Sequence, residues 1–396
     1  MQYRFSKNIL NTPKSFVREI LKFTQTPEII SFAGGLPNKI YFPVDAIRKA
    51  TDKVLRSHGQ DVLQYTTTEG YDPLREFIAD RYKTKGIDIK KDEILIVSGS
   101  QQTLDLAGKA FLDTGDPVLI EKPGYLGAIQ AFSVFSPRFD VISLGSDGVD
   151  SAELEEIIKK QRPKFFYSNP NFQNPSGLTY SLNNRRMIAD VINSTETVII
   201  EDDPYGEIRY LGEHLPPVKK FARDNSILLG SFSKIVAPGL RLGWACAPKP
   251  IMEKLIIGKQ AADLHTNYFA QRVLYQYLED NNIDEHIAKI RAGYLAQRTA
   301  MVNAMSEYFP KDITYTQPEG GMFLWVTLPE GFSSMELLDV AAKHKVAFVP
   351  GEPFYVDGRK SNSMRLNYTC SDEKTIAKGI QQLAEAIKEY AAERKS

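Results

Sequence analysis

Cysteine is nearly absent, with Cys246 and Cys370 the only two in 396 residues. That rules out a disulfide framework, so a reducing, cytoplasmic setting is expected. No apolar run approaches the ~18–20 residues that cross a bilayer. The opening Met1-Gln2-Tyr3-Arg4-Phe5-Ser6-Lys7-Asn8 also has no apolar stretch of the signal-peptide kind. Excess charge is missing too, since 49 Lys and Arg face 49 Asp and Glu. Without a basic face or tail, neither nucleic acid nor an anionic membrane is an expected partner. The five histidines are scattered, with no HExxH or CxxC spacing, so no metal site is expected.

What the chain does have is ordinary globular material: 42% hydrophobic and 25% charged residues, which excludes a disordered or fibrous class. Its length exceeds one compact core and suits a large domain with a satellite. From residue 45 onward, helical and strand-like segments alternate, the pattern of an α/β sheet with parallel strands. Residues 45–57 and 72–85 have the apolar spacing of amphipathic helices. Ile94-Leu95-Ile96-Val97, Pro117–Glu121, Lys164–Ser168 and Thr197–Asp202 are each a buried strand ending in polar residues. Ligand sites of open α/β sheets lie at such carboxyl ends. Residues 250–309 are largely helical. After Pro310 strands return at 314–315, 322–326, 347–349 and 364–368, followed by a helix from Ser371 or Asp372 to Arg394. An amphipathic helix at Pro13–Thr24 and a Gly34-Gly35-Leu36-Pro37-Asn38 turn precede all of this.

The chemistry concentrates in a few motifs. In Ser231-Phe232-Ser233-Lys234, a lysine leaves an apolar strand into a polar turn, with Arg241 seven positions on. Such an amine suits a Schiff base with an aldehyde cofactor, and Ser231, Ser233 and Arg241 suit its phosphate; a solvated loop lysine is the plain alternative. Ser98-Gly99-Ser100-Gln101-Gln102-Thr103, between strand and helix, forms either a phosphate cup or a simple helix cap. Asp202 ends a buried strand, where a carboxylate needs a positive partner such as a protonated pyridine nitrogen. Tyr205 follows within reach of a phenolic ring oxygen; a capping Asp202-Asp203 pair is the other reading. Two Asn-Pro steps in Asn169–Gly177 stiffen a loop and aim Asn174 at a ligand, or merely stiffen it. Arg365, in a strand-like segment, matches a substrate α-carboxylate or faces solvent.

Taken in order, Tyr65, Ser100-Gln101, Tyr125, Asn174-Pro175-Ser176-Gly177, Asp202-x-x-Tyr205, Ser231-x-Ser233-Lys234, Arg241 and Arg365 resemble the fold-type I, pyridoxal-phosphate-dependent aminotransferases of class I/II. Ile30–Pro37 and Gly320-Gly321-Met322-Phe323-Leu324-Trp325 resemble the subgroup acting on 2-aminoadipate, kynurenine and aromatic amino acids. The resemblance implies a large domain with a mostly parallel seven-stranded sheet flanked by helices, and a smaller α+β domain. The expected divisions are an N-terminal arm at 1–44, the large domain at 45–285 and the small domain at 286–396. It implies that Lys234 binds pyridoxal 5′-phosphate and carries protons, that Asp202 pairs with the ring nitrogen, and that Tyr125 stacks on the ring. Asn174 and Tyr205 would meet the phenolic oxygen, and Ser100, Gln101, Ser231, Ser233 and Arg241 the phosphate. Tyr65 would reach the cofactor of a neighbouring subunit, which implies a homodimer. Arg365, Asn174 and Gly35 would hold the substrate. Ser15 and Arg18 would join them, Arg18 at a distal substrate carboxylate.

The expected activity is transfer of an amino group from an L-amino acid, 2-aminoadipate first, to 2-oxoglutarate by a ping-pong mechanism. Aromatic, kynurenine and branched-chain donors stand as alternatives. A lyase, racemase or decarboxylase would keep the same Lys234 and Asp202. A DNA-binding regulator would need a helix-turn-helix module ahead of the glycine turn, and the zero net charge gives it no support.

Overall fold

Short apolar runs bounded by turn residues become the strands of a central sheet. In the computed structural model, which describes residues 3–14, 16, 20, 28–222 and 224–394, the N-terminal strand β1 is Ile30–Ser31. The strands of the large sheet are β2 (Ile94–Val97), β3 (Pro117–Lys122), β4 (Arg138–Gly145), β5 (Gly148–Val149), β6 (Phe165–Ser168), β7 (Val198–Asp202), β8 (Ser226–Ser231) and β9 (Gly243–Cys246). They lie in the order β2-β9-β8-β7-β6-β3-β4-β5. Seven of them have four residues or more. The two-residue β5 folds back antiparallel on the edge strand β4. Pairing from β4 through β8 along that order is parallel, and β9 runs against its neighbours β8 and β2.

A parallel sheet covered on both faces needs apolar residues on both sides of each strand. Val118, Ile120, Phe165, Tyr167, Val198 and Ile200 pack with Leu104, Leu106, Phe132 and Leu255 of the helices on one face. The alternate residues Leu119, Phe166 and Ile199 pack with Leu154, Ile158, Ile188 and Ile192 on the other. This two-sided burial fixes the register, so the parallel strands β3, β4, β6, β7 and β8 bring their carboxyl ends to one rim, where β2 also ends.

A second sheet holds β10 (Thr314–Tyr315), β11 (Phe323–Thr327), β13 (Val349–Pro350) and β14 (Ser363–Asn367), antiparallel in the order β10-β11-β14-β13. Strand β12 (Val346–Ala347) instead pairs in parallel with β1, tying the N-terminal stretch to this part of the fold. Helices Ile283–Tyr308, Ser334–Lys343 and Glu373–Glu393 pack beside it. Asp372 caps the last of these, its carboxylate accepting from Thr375 N at 2.8 Å. The helix expected at 45–57 runs Val44–Val62, past an irregular His58 that precedes Gly59. A short helix also forms at Lys7–Asn11. Most of the helix expected at Pro13–Thr24 lies outside the described residues. No helix among the described residues is long and apolar enough to cross a membrane.

Candidate active site

Strand β8 is buried along its whole length, so the chain emerges from the core at Ser231 and turns at once. Ser233 N donates to Ser231 Oγ at 3.1 Å, and this tight turn presents Lys234 at the rim. Lys234 Nζ donates to the carbonyl of Gly35 at 2.9 Å. Burial pushes its ammonium down to about 8; Cys370 opposes that shift, while the Arg365 and Arg241 charges add to it. A lysine so placed carries a far larger neutral, nucleophilic fraction near neutral pH than a solvated one.

Asp202 ends β7 and is 3% exposed. Tyr167 donates to its Oδ2 at 2.8 Å, whereas its Oδ1 has no hydrogen-bond partner. Burial raises this carboxyl to about 7; the Tyr167 donation lowers it, and Asp203 and Glu121 raise it further. A buried oxygen without a donor is uncommon and asks for a positive or N–H partner. Tyr205, also buried, is hydrogen-bonded to the Asn174 side chain, and burial drives its phenol well above the ordinary range. Asn174 precedes a cis Pro175 and accepts from Arg365 Nη1 at 2.8 Å through Oδ1.

At the end of β2, Gly99 takes φ +81°, ψ 155°, a backbone region almost exclusive to glycine. A Cβ there would lie 2.4 Å from Arg241 Nη2, so the guanidinium rests directly on the glycine. Arg241 Nη2 donates to Ser98 O at 3.3 Å. Ser100 and Gln101 open helix Ser100–Phe111, whose N-cap Gly99 brings no side chain to its first N–H groups. Gly243 pairs with Ser231, and a Cβ on it would sit 2.8 Å from Ser100 N. Ser231, Ser100 and Arg241 are thereby gathered around one glycine-lined corner. Gln101 Nε2 donates to Gly127 O at 2.7 Å, and Tyr125 OH lies 3.5 Å from Gln101 Oε1. The Tyr125 ring lies over Gly127, where a Cβ would approach its Cζ to 2.5 Å.

Arg365 rises from β14 into the same rim and is 3% exposed. Its guanidinium lies 4.3 Å from the Phe323 ring centre and 5.5 Å from that of Phe354. It donates to Asn174 Oδ1 and to Ala33 O, both at 2.8 Å, and its Nε is unpartnered. Burial holds its pKa down at about 10. No carboxylate among the described residues pairs with it, so the cation is left for an anion from outside.

Lys234, Asp202, Asn174, Tyr205, Tyr125, Ser100, Gln101, Ser231, Ser233, Arg241, Gly35 and Arg365 thus share the carboxyl rim of the large sheet. Tyr65 does not join them within one chain: it is 77% exposed, packed edge-on against His265 at 5.7 Å. Ser15 and Arg18 lie outside the described residues. No group of His, Cys, Asp or Glu among the described residues could hold a metal ion.

Several supporting side chains escape the sequence reading. Glu121, fully buried at the end of β3, accepts from Ser168 Oγ, Asn169 N, Gln173 Nε2 and Tyr180 OH. Gln173 also donates to Pro123 O at 2.7 Å, and Asn169 Oδ1 accepts from Asn174 N at 2.8 Å. This hub fixes the Tyr125 and Asn174 loops together. The signal for Glu121 was the one used for Asp202, an acid ending an apolar strand.

Residues 31–383 match the family of class I and II aminotransferases. The chain is 43% identical to a 2-aminoadipate transaminase of Thermus thermophilus over 97% of its own length and 96% of that protein. It is 42% identical to an aromatic-amino-acid aminotransferase of Thermococcus litoralis, covering 97% and 94% of the two chains. The solved α-aminoadipate aminotransferase of Thermus thermophilus, complexed with N-(5′-phosphopyridoxyl)-L-leucine, superposes with a TM-score of 0.92 at 40% identity over 98% of each chain.

Proposed function

The chain belongs to the class I and II aminotransferases, enzymes that depend on pyridoxal 5′-phosphate, and we propose that it moves the amino group of L-2-aminoadipate to 2-oxoglutarate in alternating half-reactions. The residues present fit that cofactor. Asp202 Oδ1 lacks a donor and a pyridinium N–H is one. The Gly99 corner offers helix N–H groups, serines and Arg241 to a phosphate, and Tyr125 offers a ring face. The single observation carrying the reading is that one rim combines a lysine of lowered basicity, an unpartnered buried carboxylate oxygen and a buried arginine without an acid.

When bound, the cofactor supplies an aldehyde that captures the amino nitrogen and a cationic ring that draws electrons from the substrate Cα. Asp202 keeps the ring nitrogen protonated, because an ionised carboxylate in a dry site favours the charged partner. Asn174 and Tyr205 hold the ring oxygen, while Ser100, Gln101, Ser231, Ser233 and Arg241 anchor the phosphate. Lys234 would be the covalent attachment point and, once displaced, the base that takes the proton from the substrate Cα and delivers it to the cofactor's C4′. Arg365 grips the α-carboxylate with two parallel N–H donors, one of them now resting on Asn174. Arg18 is assigned to the distal carboxylate, and Ser15 to the substrate, on the motif Ser15–Lys22 alone. In a homodimer Tyr65 would reach the partner's cofactor. Its exposure, with that of Leu63 close to it in sequence and of Leu264 beside its ring partner His265, supports a face covered by a second copy. Two free cysteines agree with a cytoplasmic setting.

The relative from Thermococcus litoralis supports a second donor class, aromatic amino acids, served by the same α-carboxylate clamp. Mixing the cofactor-loaded protein with single amino acids, and following the visible spectrum of the cofactor, separates these readings. Conversion is expected with 2-aminoadipate above all others, and reversal with 2-oxoglutarate. A spectrum unchanged by every amino acid would overturn the assignment.

A further inference from the structure

Behind the Gly99 corner lies a polar cluster with no part in the scheme above. Lys259, on helix Lys249–Asp263, has a completely buried side chain. Its Nζ donates to both Asp263 oxygens, at 2.8 and 3.1 Å, and to Gln102 Oε1 at 2.8 Å. Gln102 Oε1 also accepts from Ser98 N at 2.8 Å, and Gln102 Nε2 donates to Asp263 Oδ2 at 2.8 Å. Ser98 Oγ donates to the same Asp263 oxygen at 3.1 Å and lies 3.4 Å from Thr266 Oγ1. Arg241 completes the set from the other side, on Ser98 O.

Every polar atom of Ser98 is therefore fixed, and Ser98 is the residue before Gly99. A glycine at φ +81° on a strand-to-helix turn persists only where its surroundings over-determine it. A buried ammonium is retained only where it is paired and fully hydrogen-bonded. Lys259 meets that condition through groups that converge on one peptide. Burial pushes the Lys259 ammonium down and Asp263 pulls it back; Asp263 itself is pushed up by burial but held below the usual carboxylate range by Lys259, Gln102 and Ser98.

We propose that Lys259, Asp263 and Gln102 are positioning residues for the phosphate cup: they lock the Ser98-Gly99 peptide so that Ser100, Gln101 and Arg241 converge on the cofactor's phosphate. This rests on the cofactor reading of the same rim. A residue of this kind acts on the phosphate and not on the aldehyde or the ring. Affinity for pyridoxal, which lacks the phosphate, is the control that a general packing defect would also move.

The test is titration of apoprotein with pyridoxal 5′-phosphate and with pyridoxal, for the wild type, Lys259→Met, Asp263→Asn and Gln102→Leu. Each variant is expected to weaken pyridoxal 5′-phosphate about tenfold or more, on the scale of one lost charge-assisted hydrogen bond, and to leave pyridoxal within about twofold. Lys259→Arg is expected to recover part of the loss. Asp263→Asn keeps the side-chain shape and serves as the decisive variant should Lys259→Met fail to fold. Equal losses for both ligands, or no loss for either, would overturn the positioning role. If the wild type fails to prefer the phosphorylated form, the cofactor reading of the corner fails instead.

Discussion

Burial moves two side chains at the rim out of their ordinary titration ranges, and each leaves a signature in the stability of the apoprotein. Lys234 titrates near 8 folded against 10.5 for a free lysine. Below pH 8 both states are protonated and the cost of the buried ammonium is complete; it fades as pH rises from 8 to 10.5. Asp202 titrates near 7 folded against 3.8. Its cost is absent below 3.8, grows through that window and is complete above 7. Apo Lys234→Met is expected to melt higher than wild type at pH 7, by up to about 3 kcal/mol in stability, and to lose that margin by pH 10.5. Apo Asp202→Asn should gain stability at pH 8 and none at pH 3.5. Thermal scans across pH check both, and opposite slopes would refute the assigned shifts.

Arg365→Ala removes a buried cation whose counter-ion would arrive with the substrate. A fall in kcat/KM of about two to three orders of magnitude is expected, common to all amino donors, and steady-state kinetics with two unrelated donors test it. These residues were legible because chemistry leaves a local trace: an acid ending an apolar strand, a lysine leaving one, an asparagine held between prolines. Glu121 carries the first of those traces and was still passed over, because four neutral donors satisfy it and no cofactor was needed to explain it. The placing of Phe323 and Phe354 against Arg365 was not legible: Phe323 stood out only as part of the Gly320–Trp325 motif, and an aromatic residue in a buried strand or turn reads as core.

At the level of elements, the loop at 169–177 is the most constrained part of the site. Phe172 sits at φ +50°, unusual for a bulky residue. Its ring is pinned: a Cβ on Gly320 would meet it at 2.2 Å, one on Gly321 would lie 2.4 Å from its Cβ, and the Arg209 guanidinium lies 4.8 Å from its centre. Gly320→Ala is expected to cost about 1–3 kcal/mol through overpacking and to lower kcat/KM by moving Asn174. A denaturant melt paired with kinetics checks this; a stable, fully active variant would contradict it. Gly320 and Gly321, quoted in the sequence only as part of a family motif, serve to admit the Phe172 ring from a distant loop. Buried strands and long helices were foreseeable from periodicity. The edge strand β4 was not, because most of it is only partly buried and its residues follow no strict alternation. The stretch to Val62 goes beyond the expected 45–57 helix because His58, at φ −142°, kinks the chain: the first helical segment stops where the period does, and a second carries on to Val62.

Across the whole molecule, the site exists only where the two sheets meet. Arg365 of the second sheet touches Asn174 of the first, a pairing across 191 positions of sequence that no local pattern announces. Tyr65 lies farther afield, exposed and packed edge-on against His265. If a second copy supplies its target, light scattering should report a dimer. Tyr65→Phe should then weaken pyridoxal 5′-phosphate binding about tenfold, the scale of one hydrogen bond to a charged group, while the dimer persists. A monomeric protein of unchanged cofactor affinity would remove Tyr65 from the site.

The contact between Lys234 Nζ and the Gly35 carbonyl makes one nitrogen answer to two masters. A free ammonium has three hydrogens to give, and one of them fastens the stretch that follows β1. Once that nitrogen is spent on a covalent bond, it has at most one left, and the fastening loosens. Loading the enzyme should therefore speed amide deuterium uptake around residues 34–37 even as it slows uptake at Ser100 and Gln101. Chemical capture at the sheet rim would thus double as the release catch for the segment at its mouth.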